Sequence, residues 1–565
     1  MKTSENLIIF DTTLRDGAQA CEKQIKTEEG VDIVQALEKA GVNVAELPMA
    51  SSRTNRRMIE SIAKATSKIE LAAFVRDGVK SDIEEAAGIL NDPIKEGRVR
   101  IAMLTPTAEC LREAGNVSKE EAMRRMRSGI ENAANEFISR GQSPNIQIYF
   151  EGASEVQDLD FMDELTIEAL RRAKECTPEE YQSGIRLTLD YPDTHGTAGE
   201  DFKDWNAYGK LHKRYRRLSD KTSRELGLPD VITAAHCHND GCQATANSIL
   251  AYINGARQID GTILGVGERS GNTDLIEVVY KMMRTNREKL ITVLPEELTN
   301  LAKVASPIFE VNHFRHPIVG SETGSTSAGI HAHKIRRNLE SYVKKDPSKV
   351  GAPNFMFKVG PAMGKSGVGG VLEEMGVYLP ESAYETIYRN YMESLDKGED
   401  ENYRGVSGRK RFIEKFIYES PETVRQAEIE NGRLIHLGDF DPKSRAPKKP
   451  GQKRMTHLNF SYWLNGEEKT GSGSSEGGSL PIVKRAVTEA IGLSLKLGKW
   501  ITYNTSESSD SEVVAKVTMI CKETGIERTG FSIDGDEKIA SVQAMLHAIS
   551  SFPKSLALLK KEEKD

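Results

Sequence analysis

Eight short runs of apolar, β-rich residues punctuate the first half of the chain. They are NLIIF (6–10), VNVAEL (42–47), IELAAFV (69–75), VRIAML (99–104), NIQIYF (145–150), GIRLTL (184–189), VITAAHCH (231–238) and GTILGVG (261–267). Continuous apolar runs of this length suit strands buried on both faces, and the longer stretches between them space their apolar residues at helical intervals. Two of those stretches, SDIEEAAGIL from Ser81 and SKEEAMRRM from Ser118, open on a serine with a glutamate three residues on, which predicts a capping box at each helix start. Eight strand–helix units at roughly 30–45-residue spacing, without a break, predict an α/β fold of the (β/α)8 barrel type; a doubly wound sheet is the alternative.

The alternation stops near residue 296. The catalytic barrel is therefore expected over 1–295 and mostly helical linker subdomains over 296–437, with a glycine-rich interruption at Gly360–Gly370. Residues 438–454 (GDFDPKSRAPKKPGQKR) read as a flexible basic linker. The remainder, 455–565, reads as a separate α+β domain with an internal repeat. Thr470-Gly471 precedes a helical pattern ending at Ala490-Ile491, and Thr529-Gly530 precedes one ending at Ala548-Ile549. Each half carries a strand-like run, HLNFSYWL or VVAKVTMIC, so a pseudo-symmetric regulatory or dimerisation domain is expected.

Composition removes several function classes. A chain of 565 residues exceeds one ordinary domain, and 38% hydrophobic with 28% charged residues is the balance of a soluble protein. The net charge of −7 offers no general basic field for nucleic acid. No run approaches the roughly 18 apolar residues of a membrane helix. The start, MKTSENLIIFDTT, lacks a signal-peptide core, and six cysteines without a CxxC fit a reducing compartment. A cytoplasmic protein with no nucleic-acid or membrane partner is expected.

Active sites of such barrels lie at the C-terminal ends of the strands, and charged residues of this chain gather there. Arg15 and Asp16 follow the first run, Glu46 lies in the second, Arg76 follows the third and Glu151 the fifth. Asp193 and Thr194 follow the sixth, His236 and His238 end the seventh, and Glu268 and Asn272 follow the eighth. Two histidines two apart on a strand face one side, and neutral imidazoles with a carboxylate suit a divalent ion such as Zn or Mn. Strands one, eight and seven are neighbours in a closed barrel, which brings Asp16 forward as the third ligand. Asn272 adds a carbonyl oxygen or supports a ligand. Cys237 faces the helices. Alone, an HxH is as readily a pair of satisfied polar residues, but the company of Asp16 and Asn272 favours an ion. Arg15 beside it suits a 2-oxo acid, whose carbonyl and carboxylate chelate a metal; its plainer role is a salt bridge to Glu46 or Glu268. GVGERSG places Ser270 where a dinucleotide loop needs its third glycine, and is not read as one.

The motifs DTTLRDGAQ, PDTHG (Pro192–Gly196), HCHNDG, GVGERSGNTDL, PIVGSETGSTSAGIHAH (Pro317–His333) and VGPAMGKSG together resemble the metal-dependent acyl-CoA Claisen condensation family, which includes 2-isopropylmalate, citramalate and homocitrate synthases. The resemblance extends to about Phe552. It implies condensation of acetyl-CoA with a 2-oxo acid, then thioester hydrolysis, in a homodimer using a divalent metal ion (Mg, Mn or Zn). Asp16, His236 and His238 would hold the metal with Asn272 adjacent, and Arg15 would polarise the keto group. Glu151 would lie near the acetyl group, His331 would take part in deprotonating it, and Tyr342 matches a family tyrosine. Gln19, Glu46, Tyr149, Thr194 and Glu268 would contact substrate. The last domain would take an amino-acid effector, leucine or isoleucine.

The chain departs from the family pattern at GIHAHK, where GIHADG is common and His333 is a second imidazole, and at GAQACEKQ. It also departs at Asp190, near a position where isopropylmalate synthases often carry Asn, and at FEGAS, which lacks a following acidic residue. The related lyases carry a cysteine in the GER-SGN loop, which this chain lacks. The oxo-acid pocket is expected from Leu47, Pro48, Ala72, Phe74, Ala102, Leu104 and Tyr149. Small Ala72 and Ala102 leave room for a branched substrate such as 2-oxoisovalerate, favouring a 2-isopropylmalate synthase, while the run IYFE resembles citramalate synthases acting on pyruvate. A metal-dependent carbon–carbon lyase and a non-catalytic amino-acid sensor are the alternatives of other classes.

Overall fold

The computed structural model describes residues 6–199, 204–229, 231–321, 323–344, 346–352, 355–374, 379, 381–398, 408–409, 411–412, 415–416, 435–445, 455–464, 467–476, 478–504, 513–522, 525–534, 536–550 and 552. The chain divides into a unit of residues 1–323 with 347–353 and a second unit of 324–346 with 354–565.

In the first unit eight parallel strands close in chain order: β1 (Ile8–Asp11), β2 (Val44–Leu47), β3 (Glu70–Arg76), β4 (Val99–Pro106), β5 (Asn145–Glu151), β6 (Arg186–Asp190), β7 (Ile232–His236) and β8 (Gln258–Gly261). β1 pairs with both β2 and β8, which closes the barrel. The outward faces of the strands are apolar: Ile9, Leu71, Ile101, Ile148, Leu189 and Ile259 pack into one core with the surrounding helices.

The interior is polar, and this explains the one misplaced strand. β8 is QIDG, and the predicted run 261–267 instead turns through a 3-10 segment at Ile263–Gly265. Gln258 and Asp260 are wholly buried inside the barrel, so β8 lacks the apolar character that marks the others. Below the mouth, Arg100 donates from Nε to Glu70 (2.7 Å) and from Nη1 to the side-chain oxygens of Gln147 and Gln258 (2.7 Å each). A buried guanidinium is tolerated because its donors are matched.

Helix Lys119–Ile138 starts as predicted, with Ser118 Oγ accepting from Glu121 N at 3.2 Å. The cap predicted at Ser81 does not form. That helix runs Lys80–Ile89 from Val79, and Arg76 binds Asp82 at 2.7 and 2.9 Å, drawing Ser81 inside the first turn.

Helix Leu298–Phe309, read from the sequence as part of the linker region, belongs to the first unit. The second unit opens with a parallel pair, β9 (Ser325–Thr326) and β10 (Met356–Phe357). Helices Gly329–Arg337, Lys365–Glu374 and Glu381–Asp396 surround a core containing Val368, Leu372, Ile387 and Tyr391.

Two antiparallel sheets follow. β11 (Ile435–Arg445), β12 (Met455–Leu464) and β13 (Glu467–Ser475) lead into helix Ser479–Ile491. β14 (Leu495–Asn504), β15 (Val513–Cys521) and β16 (Glu527–Asp534) lead into helix Glu537–Ser550. The sequence repeat falls at equivalent places, Gly471 opposite Phe460 and Gly530 opposite Val517. The first strand of each half also slips register alike, between Leu437 and Phe440 and between Leu497 and Trp500. Residues 438–445, read as the start of a flexible linker, are instead strand. β11 is a sheet edge, where Pro442 and a run of charges are compatible with pairing on one side only. Residues 446–454 lie outside the described residues. Among the described residues no helix is long and apolar enough to cross a membrane.

Candidate metal centre and active site

The first motif turns sharply as it leaves β1. Asp11 accepts from Thr13 N (3.0 Å) and Thr13 Oγ1 (2.7 Å), and Thr12 O accepts from the amides of Arg15 and Asp16 (3.1 and 2.9 Å). This places Asp16 over the mouth, where its Oδ2 lies 3.2 Å from His236 Nε2 and 3.8 Å from His238 Nε2. Ligand atoms of the three residues all fall within 4.8 Å of one another. Asn272 joins them through a backbone bridge to His238. Cys237 turns the other way, into a cluster with Tyr208 and Ala244.

The four polar residues fit a divalent cation. Asp16 Oδ1, both histidine Nδ1 atoms and Asn272 Oδ1 are buried without a hydrogen-bond partner. Buried polar atoms are nearly always satisfied, and the unpartnered Asp16 Oδ1 beside two imidazoles whose Nε2 atoms face the same carboxylate suits a cation. Burial pushes the Asp16 carboxyl up, but Arg15 and the two imidazoles outweigh it and hold it well below the usual range. Burial and the neighbouring His236 charge push His238 down to about 3, leaving the neutral imidazole a ligand requires.

Arg15 is clamped on two sides. Its Nε donates to Glu46 Oε2 at 2.7 Å and its Nη1 to Asp16 Oδ2 at 3.0 Å. Glu46 also accepts from Thr12 Oγ1 (2.5 Å) and Tyr149 OH (2.9 Å). The guanidinium lies over Phe74 and Tyr149, 4.8 and 5.6 Å from the ring centroids. Burial lowers the Arg15 pKa, but Glu46 and Asp16 overcome this and raise it, so the group stays charged. Glu268 takes no part in the clamp and is exposed, as is Gln19 on the turn Gly17–Ala20.

The expected pocket residues fall on different sides of the strands. Leu47 faces the outer core, and Ala72 packs with Phe10 and Val44 inside the barrel. Ala72 and Ala102 are wholly buried, so neither lines open space. Tyr149, one of the expected lining residues, is buried between Arg15 and His236, its ring centroid 6.0 Å from that of His236.

Around the rim, Gly152 N donates to Thr194 Oγ1 at 2.9 Å. Arg269, which the sequence reading passed over, donates to Asp240 (3.0 Å) and to Thr194 O (2.7 Å), tying three loops together. Both ends of that bridge lie inside quoted motifs, and their opposite charges were the signal. Gly196 has φ +65°, and a Cβ there would stand 2.7 Å from His238 O. Only glycine lets this loop lie against the histidine strand. Glu151 ends β5, its carboxyl pushed up by burial against the opposing charge of His195. His331 and Tyr342 lie in the second unit, exposed, with rings stacked 4.2 Å apart. His333 lines a cavity of about 540 Å³ there, with Arg336, Arg337 and Lys365.

The chain is 27% identical over 553 residues to the 2-isopropylmalate synthase of Parabacteroides distasonis, covering 97% of this chain and 99% of that one. It is 26% identical over 564 residues to the 2-isopropylmalate synthase of Proteus mirabilis, covering 98% and 96%. Among solved structures, the HMG-CoA lyase from Brucella melitensis aligns at 17% identity and a TM-score of 0.41, over 55% of this chain and 100% of that one. Residues 6–306 match the HMGL-like family profile, and the protein belongs to that family.

Proposed function

We propose that this protein is a metal-dependent acyltransferase that condenses acetyl-CoA with a 2-oxo acid and then releases CoA by hydrolysis, of the 2-isopropylmalate synthase type. The observation that carries this reading is the buried Asp16–His236–His238 cluster, with its orphaned atoms, against the clamped guanidinium of Arg15. When bound, a divalent ion supplies Lewis-acid polarisation of the oxo acid. Asp16, His236 and His238 hold it, and Asn272 supports it. Arg15 donates to the keto oxygen, where negative charge develops as the new bond forms, and Glu46 with Tyr149 keeps the guanidinium in place. Thr194 and Gln19 contact the substrate at the rim. Glu151 accepts a proton from the acetyl methyl group, and the family resemblance assigns His331 and Tyr342 to the same deprotonation. Relatives named 2-isopropylmalate synthase over nearly the whole chain favour 2-oxoisovalerate as acceptor.

One observation favours a second acceptor. Tyr149 occupies the volume beside Arg15, which suits the methyl group of pyruvate and hence citramalate formation. We place the enzyme in the cytoplasm as a homodimer. The two-sheet domain from residue 435 serves as the effector domain for leucine or isoleucine. Activity unmoved by either amino acid at millimolar concentration would leave that domain a dimerisation module.

The deciding experiment is thiol release from acetyl-CoA with a panel of 2-oxo acids, with and without chelator. Chelator-sensitive release with 2-oxoisovalerate or pyruvate is expected. Full, chelator-insensitive turnover by His236→Ala would exclude the metal mechanism.

A further inference from the structure

The cavity beside His333 has no part in the condensation chemistry above. It lies wholly within the second unit, among helices Gly329–Arg337, Lys365–Glu374 and Glu381–Asp396, and at about 540 Å³ it has the size of a small-molecule pocket. The first helix supplies His333, Arg336 and Arg337, the second Lys365, Ser366 and Glu373, and the third Tyr384 and Glu385. Three cations therefore face two carboxylates.

Those charges differ in how firmly they are held. Arg336 is committed: its Nε and Nη2 donate to the two Glu373 oxygens at 3.2 and 2.6 Å, and its guanidinium lies 5.1 Å from the Tyr384 ring centroid. Gly369 makes room for this pair, since a Cβ there would stand 2.8 Å from Arg336 Cζ. Lys365 Nζ meets Glu385 Oε2 at 3.3 Å, but the two side chains are 65% and 60% exposed. An ion pair in that much water is worth about 1 kcal/mol or less, so it yields to a better partner. Arg337 is exposed and forms no ion pair among the described residues. Ser366 Oγ lies 3.3 Å from His333 Nδ1 and adds a hydroxyl in the first turn of helix Lys365–Glu374, at the positive end of its dipole. The cavity thus offers one uncommitted guanidinium, one loosely held ammonium and a hydroxyl. A guanidinium fork with an ammonium matches the oxygens of a phosphate group.

We propose that this cavity binds a phosphate-bearing anion, with Arg337 and Lys365 on the phosphate oxygens and Ser366 donating a hydrogen bond. Glu385 is the competitor: it holds Lys365 until the phosphate takes its place. Two sources carry the required chemistry, the nucleotide end of CoA and a free phosphorylated metabolite.

The test is titration calorimetry of the full-length protein at low salt, where exposed charges are least screened, with inorganic diphosphate, ADP, CoA and dephospho-CoA as probes. At least one probe should bind at a site that Arg337→Gln and Lys365→Gln each weaken by about 10-fold or more, the worth of one charge-assisted contact. Glu385→Gln should instead tighten it, because the substitution frees Lys365 and removes a negative charge. A folding defect would not produce that opposite sign. All three side chains are exposed, outside the core of Val368, Leu372, Ile387 and Tyr391, so melting temperatures should match wild type. Variant-sensitive binding confined to CoA and dephospho-CoA supports the site with the coenzyme as source. Variant-sensitive binding of ADP or diphosphate supports it with a free phosphorylated metabolite. No binding of any probe overturns the proposal. So does binding that is equal in wild type and all three variants, which would place the phosphate elsewhere on the chain. None of these measurements needs turnover, so this site and the condensation reading stand or fall separately.

Discussion

The guanidinium of Arg15 and the carboxylate of Glu46 meet at 2.7 Å over the floor of the barrel mouth, and among the described residues Asp16 is the other carboxylate that pairs with this guanidinium. Glu46 is wholly buried, so the pair is screened little by water. On the proposed mechanism, the clamp fixes a donor beside the keto oxygen on which charge would build.

Glu46→Gln should leave Arg15 buried with half of its counter-charge gone. Breaking a buried pair costs about 3–5 kcal/mol, and losing a fixed donor at a developing oxyanion costs roughly 10²-fold or more in kcat. Calorimetric melting should show a clear loss of stability, and thiol-release kinetics should show a fall in kcat beyond any change in KM. Arg15→Lys should fail to rescue the rate, because an ammonium cannot form the fork to both carboxylates.

Metal content offers a second check. The wild-type protein should carry one divalent ion per chain by elemental analysis, and Asp16→Ala and His236→Ala should carry almost none. Asn272 lies beside the cluster rather than among the three charged or imidazole donors. Asn272→Ala should therefore retain the site with affinity lowered by about 10–100-fold, as for outer supports of metal ligands. Equal affinity for wild type and Asn272→Ala would remove that residue from the site.

Periodicity reached most of this fold because outward-facing strand residues are apolar, as at Ile9, Leu71 and Ile148. It failed at β8, where Gln258 and Asp260 serve a polar barrel interior that no hydrophobic pattern reports. It failed again at β11, an edge strand whose Pro442 and charges imitate a tether. The cluster of Asp16, His236 and His238 was legible because strand order alone makes residues over 200 positions apart into neighbours. The pocket was not, since whether Ala72 lines a cavity or lies beneath it depends on which neighbours fill the barrel. The bridge from Arg269 to Asp240 left opposite charges in two motifs as a signal, but their pairing is a contact between two loops that strand periodicity does not report.

Asp77 gives a prediction in pH. Burial raises its carboxyl from 3.8 to about 6, and the Arg125 charge does not cancel this. Between those values the folded protein keeps a proton that the unfolded chain has released. Stability therefore falls as pH rises through the window, and the penalty is complete above it, about 2–3 kcal/mol at most. Asp77→Asn keeps an acceptor for Thr105 Oγ1, which bonds Asp77 at 3.4 Å, and cannot ionise. Urea midpoints at pH 4.5 and 7 should converge in the variant relative to wild type. An identical pH slope in both proteins would mean that Asp77 is ionised like any surface carboxylate.

On the proposed reading, Tyr149 limits how large an acceptor the mouth can hold. Its ring is wholly buried, it touches Arg15 on one side and approaches His236 on the other, and its hydroxyl is tied to Glu46. Shortening it to alanine opens volume next to the keto site while removing one of the bonds that steady Glu46. Both consequences should be visible in one comparison. The rate with pyruvate should fall, because the small acceptor gains nothing from the new space and the clamp is looser. The ratio of kcat/KM for 2-oxoisovalerate over pyruvate should rise by about 10-fold or more, since each methylene given room is worth about 1–3 kcal/mol. A uniform fall for both acids would place the branched side chain elsewhere than beside this ring, and would return 2-oxoisovalerate to the wild-type pocket without any need for Tyr149 to move.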